Sequence, residues 1–137
     1  MTGVVREEEG SEIIEFSLVI IPLFGFLFLI VSVCWVIFAQ ATLQYAATAG
    51  VRFAITRQSN AAIQALVQQD SLGFITATNQ IKVTYYNPSN LQPVPSNAPG
   101  NLVQVKVLNV PIGPLAPILG GTSTPTLIPV SAADVME

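Results

Sequence analysis

Residues 10–38 read GSEIIEFSLVIIPLFGFLFLIVSVCWVIF, and residues 18–38 within this stretch hold no charged side chain. These 21 residues would form a helix roughly 31 Å long at about 1.5 Å per residue, which matches the hydrocarbon core of a bilayer. Because the segment is apolar on every face, it differs from the one-sided helix of a soluble domain. The sequence therefore predicts a single transmembrane helix.

A secretory signal peptide is the alternative for this segment, since Ala39, Gln40 and Ala41 form a small-x-small cleavage pattern. Such a peptide would carry a basic region before a shorter apolar core. Here residues 7–9 are all glutamate, with only Arg6 as a base, and the apolar run is longer. The transmembrane interpretation is therefore favoured.

The composition of the 137-residue chain excludes several function classes. Only 9% of the residues are charged and the formal net charge is −3, whereas soluble domains carry about 25% charged residues. Six of the thirteen charged side chains lie in the first fifteen positions. No basic face remains, which excludes nucleic acid as a partner.

The residue types that usually carry catalysis or bind metals are also missing. The sequence contains no histidine, and its one cysteine, Cys34, can form no intrachain disulfide and is expected to act as a packing residue. No glycine-rich phosphate loop or cluster of metal-ligating residues is present. The sequence thus predicts no catalytic residue, no metal, no cofactor and no small-molecule substrate.

A carboxylate stands at the edge of the apolar segment, where Glu15 follows Ile13 and Ile14. A charge at this depth is unfavourable unless it reaches the interface or finds a partner. Glu15 could extend to the interface and, with Glu12, complement the positive helix N-terminus. A second interpretation of Glu15 comes from its spacing to Gly10, which lies five positions earlier and is followed by a small polar residue.

This spacing resembles the processing site of class III, or type IV-like, prepilins. In those proteins a membrane-bound aspartic peptidase cuts after the glycine, and the glutamate at mature position five is thought to meet the amino terminus of a neighbouring subunit. The resemblance implies cleavage between Gly10 and Ser11, with Glu15 setting the register between subunits. An ammonium and a carboxylate within lipid stabilise each other strongly when they form a pair, whereas either charge alone is costly there. Subunits whose charges do not meet would therefore be penalised.

Residues 15–22, EFSLVIIP, are similar to the EFA-x-x-x-x-P run of the TadE-like family, the minor pilin-like proteins of tight-adherence (Flp) pilus systems. Residues 49–52, AGVR, resemble that family's alanine-rich segment with an arginine. The leader departs from many relatives, because residues 6–9 are acidic where theirs are basic. Ser11 replaces the methylatable phenylalanine of general-secretion pseudopilins, which favours the tight-adherence branch.

The resemblance implies a minor pilin or pseudopilin that takes part in pilus assembly. It would lie in the bacterial inner membrane with a cytoplasmic N-terminus, an extracytoplasmic C-terminal part and an association with the pilus. The implied partners are the lipid bilayer, a prepilin peptidase, other pilins and pseudopilins, and the pilus assembly platform. The alternative is an unprocessed single-pass membrane protein that tethers a small extracytoplasmic interaction domain.

Residues 39–69 are amphipathic and rich in alanine, which predicts that the helix continues beyond the bilayer. Ala46, Gly50 and Ala54 form a small-xxx-small ladder that would let two helices approach closely. The alternative is ordinary helix-forming composition weakened by Gly50. Within the span, Pro22 favours a bend, which a helix bundle tolerates.

Ser59 predicts a cap for a second helix, and residues 70–73 (DSLG) predict its end. Residues 81–85 and 103–107 alternate with period two and are rich in β-branched side chains, which predicts two strands. Residues 87–100 hold four prolines and predict a surface loop with neither strand nor helix.

A third strand is predicted over residues 126–133, where Pro129 confines it to an edge or a bulge. Residues 111–119, PIGPLAPIL, predict an apolar loop that packs beneath the sheet or contacts a partner pilin or the membrane surface. The expected fold is α+β: a long transmembrane helix continuing into an amphipathic helix, then a small antiparallel sheet. The expected divisions are a leader at 1–10, helices at 11–70 and a β-rich domain at 71–137.

Overall fold

The computed structural model describes the backbone of residues 5–95, 97–112, 126–127 and 129–136, and the side chains of residues 12–95, 97–111 and 129–136. Within these ranges the chain forms a long helix, a short second helix and a small antiparallel sheet. The predicted α+β class is therefore confirmed.

The first helix, α1, runs without interruption over Val5–Ile55, a length of 51 residues. The predicted continuation of the apolar span into an amphipathic segment is confirmed. Pro22 lies inside α1, and the helix continues through it. The hydroxyl of Ser32 donates to the Phe28 carbonyl at 2.9 Å, which satisfies this polar group within the apolar span.

The second helix, α2, spans Asn60–Asp70 and runs back along α1. The chain reverses after α1 at Arg57, which adopts a left-handed backbone with φ of 59°. Ser59 caps α2 as predicted, because its hydroxyl accepts a hydrogen bond from the Ala62 N–H at 3.3 Å. A short 3₁₀ turn, Thr78–Gln80, then leads into the sheet.

Four antiparallel strands form the main sheet in the described part of the chain: β1 (Ile81–Tyr86), β2 (Pro93–Val94), β3 (Leu102–Val107) and β6 (Val130–Val135). Their order across the sheet is β2-β1-β3-β6. The register places Val83 opposite Val105, and Val105 opposite Ala132. One face of this sheet packs on α1 through β3 and β6.

Two of the sequence predictions for the β region are wrong in detail. The predicted loop at 87–100 contains β2, whose Pro93 is compatible with a strand because it lies at the sheet edge and needs no ladder donor. The predicted strand at 126–133 is split at Pro129: β5 (Thr126–Leu127) pairs with β4 (Pro111–Ile112), whereas β6 pairs with β3. The remainder of the predicted apolar loop, 113–119, lies outside the described residues.

The core lies where α1, α2 and the sheet meet, at the end of α1 distant from its N-terminus. Gly50 is buried there, and a Cβ at this position would overlap Cγ2 of Val67 in α2 and touch Val105 in β3. The main buried apolar side chains are Ala39, Leu43, Ala46, Ala47, Val51 and Ala54 of α1, Ile63 and Val67 of α2, and Val103, Val105, Val107 and Val130 of the sheet. We call this assembly of upper α1, α2 and sheet the body.

Replacing Gly50 by alanine should destabilise the body. Overpacking against Val67 typically costs about 1–3 kcal/mol, which outweighs a gain in helix propensity of roughly 1 kcal/mol. In detergent micelles, urea titration followed by the fluorescence of the single tryptophan should show a lower midpoint for Gly50→Ala.

The second substitution Val67→Ala makes room for the new methyl group, so the double variant should be more stable than the sum of the single effects predicts. Gly25→Ala is the matched control, because no atom lies within 4 Å of a Cβ at Gly25. Strict additivity of the Gly50 and Val67 effects would contradict the close helix contact.

Tyr85 joins the sheet to the start of α2. Its hydroxyl donates to Oδ1 of Asn60 at 2.8 Å, and its side chain is 5% exposed. Burial raises the pKa of Tyr85 above the ordinary value of 10.0, because the charged phenolate is poorly solvated there. The folded body therefore binds the phenolic proton more tightly than the unfolded chain does.

This difference makes stability depend on alkaline pH. The contribution of neutral Tyr85 is fully present below pH 10.0 and should decline as the pH rises from 10.0 toward the raised pKa of the folded state. Tyr85→Phe should remove this part of the decline, while losing roughly 1 kcal/mol at neutral pH with the hydrogen bond. Tyr45→Phe is the control, because Tyr45 is 68% exposed; an equal pH slope in wild type and Tyr85→Phe would refute the assignment.

Candidate processing and assembly site

The predicted cleavage position lies within the first turns of α1. The backbone is helical across Gly10 and Ser11, and the side chain of Ser11 lies outside the described part of the structure. A glycine inside a helix weakens it by about 1 kcal/mol relative to alanine. The backbone at Gly10 is therefore intrinsically easier to unwind than the apolar helix that follows.

Glu15 lies one helical turn beyond Ser11 and is exposed, as is Glu12. The nearest basic side chains along the sequence are Arg6 and Arg52. Helix rise places Arg6 roughly 13 Å and Arg52 roughly 55 Å from Glu15 along the axis. Among the residues whose side chains the structure describes, no lysine or arginine is thus close enough along α1 to pair with the Glu15 carboxylate.

Beyond Glu15, α1 presents apolar side chains on all of its faces. Among the described residues, α1 is the one helix that is long and apolar enough to cross a membrane. Its exposed large side chains include Ile13, Ile14, Phe16, Leu18, Val19, Ile21, Leu23, Phe24, Phe26, Leu27, Phe28, Leu29, Ile30, Val31, Val33, Ile37 and Phe38. So large an apolar surface requires lipid or other apolar helices around it.

Pro22 interrupts the hydrogen-bond ladder in this surface. Its ring nitrogen carries no hydrogen, so the Leu18 carbonyl lacks its helical donor. Gly25, three residues later, meets no atom within 4 Å of its Cβ direction. The chain therefore has a position at residues 18–25 where bending is easier than elsewhere in the span.

The ladder of Ala46, Gly50 and Ala54 lies in the body and not in the exposed span. All three residues are buried, and the face that they form is covered by α2 and by the sheet of the same chain. Gly50 makes the closest approach, against Val67. In this structure the small residues are thus in contact with their own chain.

An aromatic cluster that the sequence analysis missed joins the span to the body. The Trp35 and Phe38 rings of α1 lie 5.6 Å and 6.3 Å from the ring of Phe74, measured between centroids. Trp35 could have been singled out as a tryptophan near the end of an apolar span, where such residues are enriched. Phe74 could not, because its neighbours are more than thirty residues away in the sequence.

The head of α1 thus combines the predicted cleavage sequence with the exposed carboxylate of Glu15 and a long apolar surface. The described residues contain no group of three or more histidine, cysteine or acidic side chains that could hold a metal ion.

Comparison with known protein families finds a match within α1. Residues 10–52 match the family model described as TadE-like protein. The match starts at Gly10 and ends at Arg52, and it confirms the family resemblance that the EFSLVIIP run predicts. No curated protein and no solved structure matches the chain.

The TadE-like family is a family of pilus components. The matched residues 10–52 include most of the helix that is long and apolar enough to cross a membrane.

Proposed function

We propose that this protein is a minor pilin or pseudopilin of a tight-adherence pilus system that is cut between Gly10 and Ser11 and then takes part in pilus assembly. The observation that carries the proposal is Glu15. It is an acidic side chain at the head of an apolar helix, five residues after a glycine within the TadE-like segment, and no cationic side chain lies near it along α1 among those that the structure describes.

Processing would supply the missing cation. Cleavage after Gly10 removes residues 1–10, with Arg6 and three of the acidic residues, and creates an ammonium group on Ser11. The carboxylate of Glu15 on one subunit and the ammonium of a neighbouring subunit would then neutralise each other in a medium of low dielectric constant. Because each pair forms at one axial offset between adjacent helices, the pair would set the stagger of the subunits.

The apolar surface of α1 would serve twice. Before assembly it is satisfied by lipid, and in a filament it is satisfied by the same surface of neighbouring α1 helices. The N-terminus would lie in the cytoplasm and the body outside it, in the orientation that lets an inner-membrane peptidase reach Gly10. Partners in this scheme are the bilayer, the prepilin peptidase, other pilins and the pilus assembly platform.

The first experiment compares the N-terminus of the full-length protein in cells with and without a prepilin peptidase. We expect the intact mass and N-terminal sequence to show a start at Ser11 only when the peptidase is present. Gly10→Leu should remain uncut, since a large side chain replaces the glycine before the scissile bond, whereas Gly3→Leu changes another leader glycine and should be processed.

The other outcomes discriminate between the alternatives. A start at Met1 with and without the peptidase would contradict processing and support a plain membrane tether. A start at Thr42 would support an exported protein whose apolar segment is removed as a signal peptide. Normal cutting of Gly10→Leu would refute the glycine-specific step.

The second experiment tests Glu15 in assembly. Glu15→Ala should be processed but not recovered with partner pilins in sheared filaments, because leaving one member of a buried ion pair alone costs about 3–5 kcal/mol. Glu12→Ala removes a carboxylate one turn earlier in the same exposed stretch and should assemble like wild type. Equal recovery of the Glu15→Ala protein would remove Glu15 from the mechanism.

A further inference from the structure

The turn that follows α2 lies at the end of the body nearest the apolar span. The body is crossed by α2 from Asn60, beside the end of α1, back to Asp70, so the chain returns toward the span. Phe74 then contacts Trp35 and Phe38. We call residues 71–74 the basal turn.

The basal turn lies at the depth where the hydrocarbon ends. Trp35 and Phe38 are among the last residues of the uncharged segment 18–38, whose helix is roughly 31 Å long and matches a bilayer core. Phe74 stacks on these two rings, so the basal turn is at the level of the boundary between acyl chains and headgroups. This placement depends on membrane anchoring by α1 and not on processing at Gly10.

The side chains of the basal turn suit that boundary. Leu72 is 71% exposed and its backbone is left-handed, with φ of 51°, a conformation unfavourable for a branched apolar residue. No charged residue occurs in residues 71–81, and the nearest one, Asp70, is half-buried. Leu72 also lines an open groove of about 480 Å³ with Phe38 and Tyr45, and Gln69 and Asp70 form its polar side.

Hydrogen bonds hold the basal turn in this shape. The buried Ser71 hydroxyl donates to the Gln68 carbonyl at 2.7 Å and accepts from the Ile75 N–H at 3.2 Å. The Phe74 N–H donates to the Ser71 carbonyl at 3.1 Å. Leu72 is therefore presented outward by a braced loop.

We propose that the basal turn is a membrane-contacting surface that inserts Leu72 into the lipid interface on the body side, beside Trp35, Phe38 and Phe74. The occupant is lipid because the surface is continuous with the apolar span of α1, which the bilayer already surrounds. With no basic side chain in the basal turn, the contact is apolar and should not require anionic lipid. Its effect is to hold the body at a fixed depth and tilt on the membrane.

The test uses the full chain with Cys34→Ser, reconstituted in phospholipid vesicles and labelled at one introduced cysteine with an environment-sensitive fluorophore. Leu72→Cys is compared with Leu91→Cys. Leu91 is matched, because it is 65% exposed with φ of 53°, but it follows β1 at the end of the body away from the span. The quenchers are phospholipids brominated in the acyl chain and, separately, aqueous iodide.

At position 72 we expect strong quenching by the brominated lipid and several-fold weaker iodide quenching than at position 91, in zwitterionic and anionic vesicles alike. Equal iodide quenching at the two positions would overturn the proposal. The proposal would also be overturned if the fluorophore at position 72 were protected from iodide but not quenched by brominated lipid, and if this protection disappeared when the protein was diluted in lipid. That result would identify a second copy of the chain as the occupant.

A second measurement leaves position 72 unlabelled. Leu72→Asn fits the left-handed backbone better than leucine, so the body should remain folded, but its polar side chain would leave the lipid. Iodide quenching of Trp35 in vesicles should rise several-fold for Leu72→Asn and stay unchanged for Leu91→Asn. No change in the Leu72 variant would contradict insertion of the basal turn.

Discussion

The structure depends on one constraint: α1 is a single continuous helix whose two ends require different surroundings. From Phe16 to Val33 most large apolar side chains are exposed, Trp35 and Val36 already pack against the core, and from Ala39 to Ala54 one face of the helix is buried in the body. In lipid a backbone must satisfy its own hydrogen bonds, so the span has to be helical. The same helix then serves as the template on which α2 and the sheet pack.

Because no loop separates the span from the body, the two are mechanically coupled. Small residues on α1 allow α2 to pack closely, and the contact of Gly50 with Val67 fixes how the second helix returns toward the span. The aromatic cluster of Trp35, Phe38 and Phe74 extends this contact into the end of the apolar segment. A rotation or axial shift of α1 therefore moves the body with it.

Charge distribution complements this arrangement. From Phe16 to Val51 the chain has no charged side chain, and Glu12 and Glu15 are the last charges before that interval. A charge pair formed at this end acts over a short range and against a low-dielectric surrounding, so it would discriminate strongly between matched and mismatched neighbours. The apolar surface itself provides adhesion without direction, whereas Glu15 would provide register.

The sequence alone determined the features that depend on local composition. The span, the helical continuation past Ala39, the Ser59 cap, the strands around Val83 and Val105 and the linear motif at Gly10 to Glu15 follow from hydropathy, periodicity, capping residues and spacing. The tertiary structure, in contrast, selects which segments pair: Phe74 with Trp35, Tyr85 with Asn60, Pro93 at the sheet edge, and the split of the last strand at Pro129. The first two contacts join residues far apart in sequence, and the strand pairings depend on the shape of the assembled core, which no local pattern encodes.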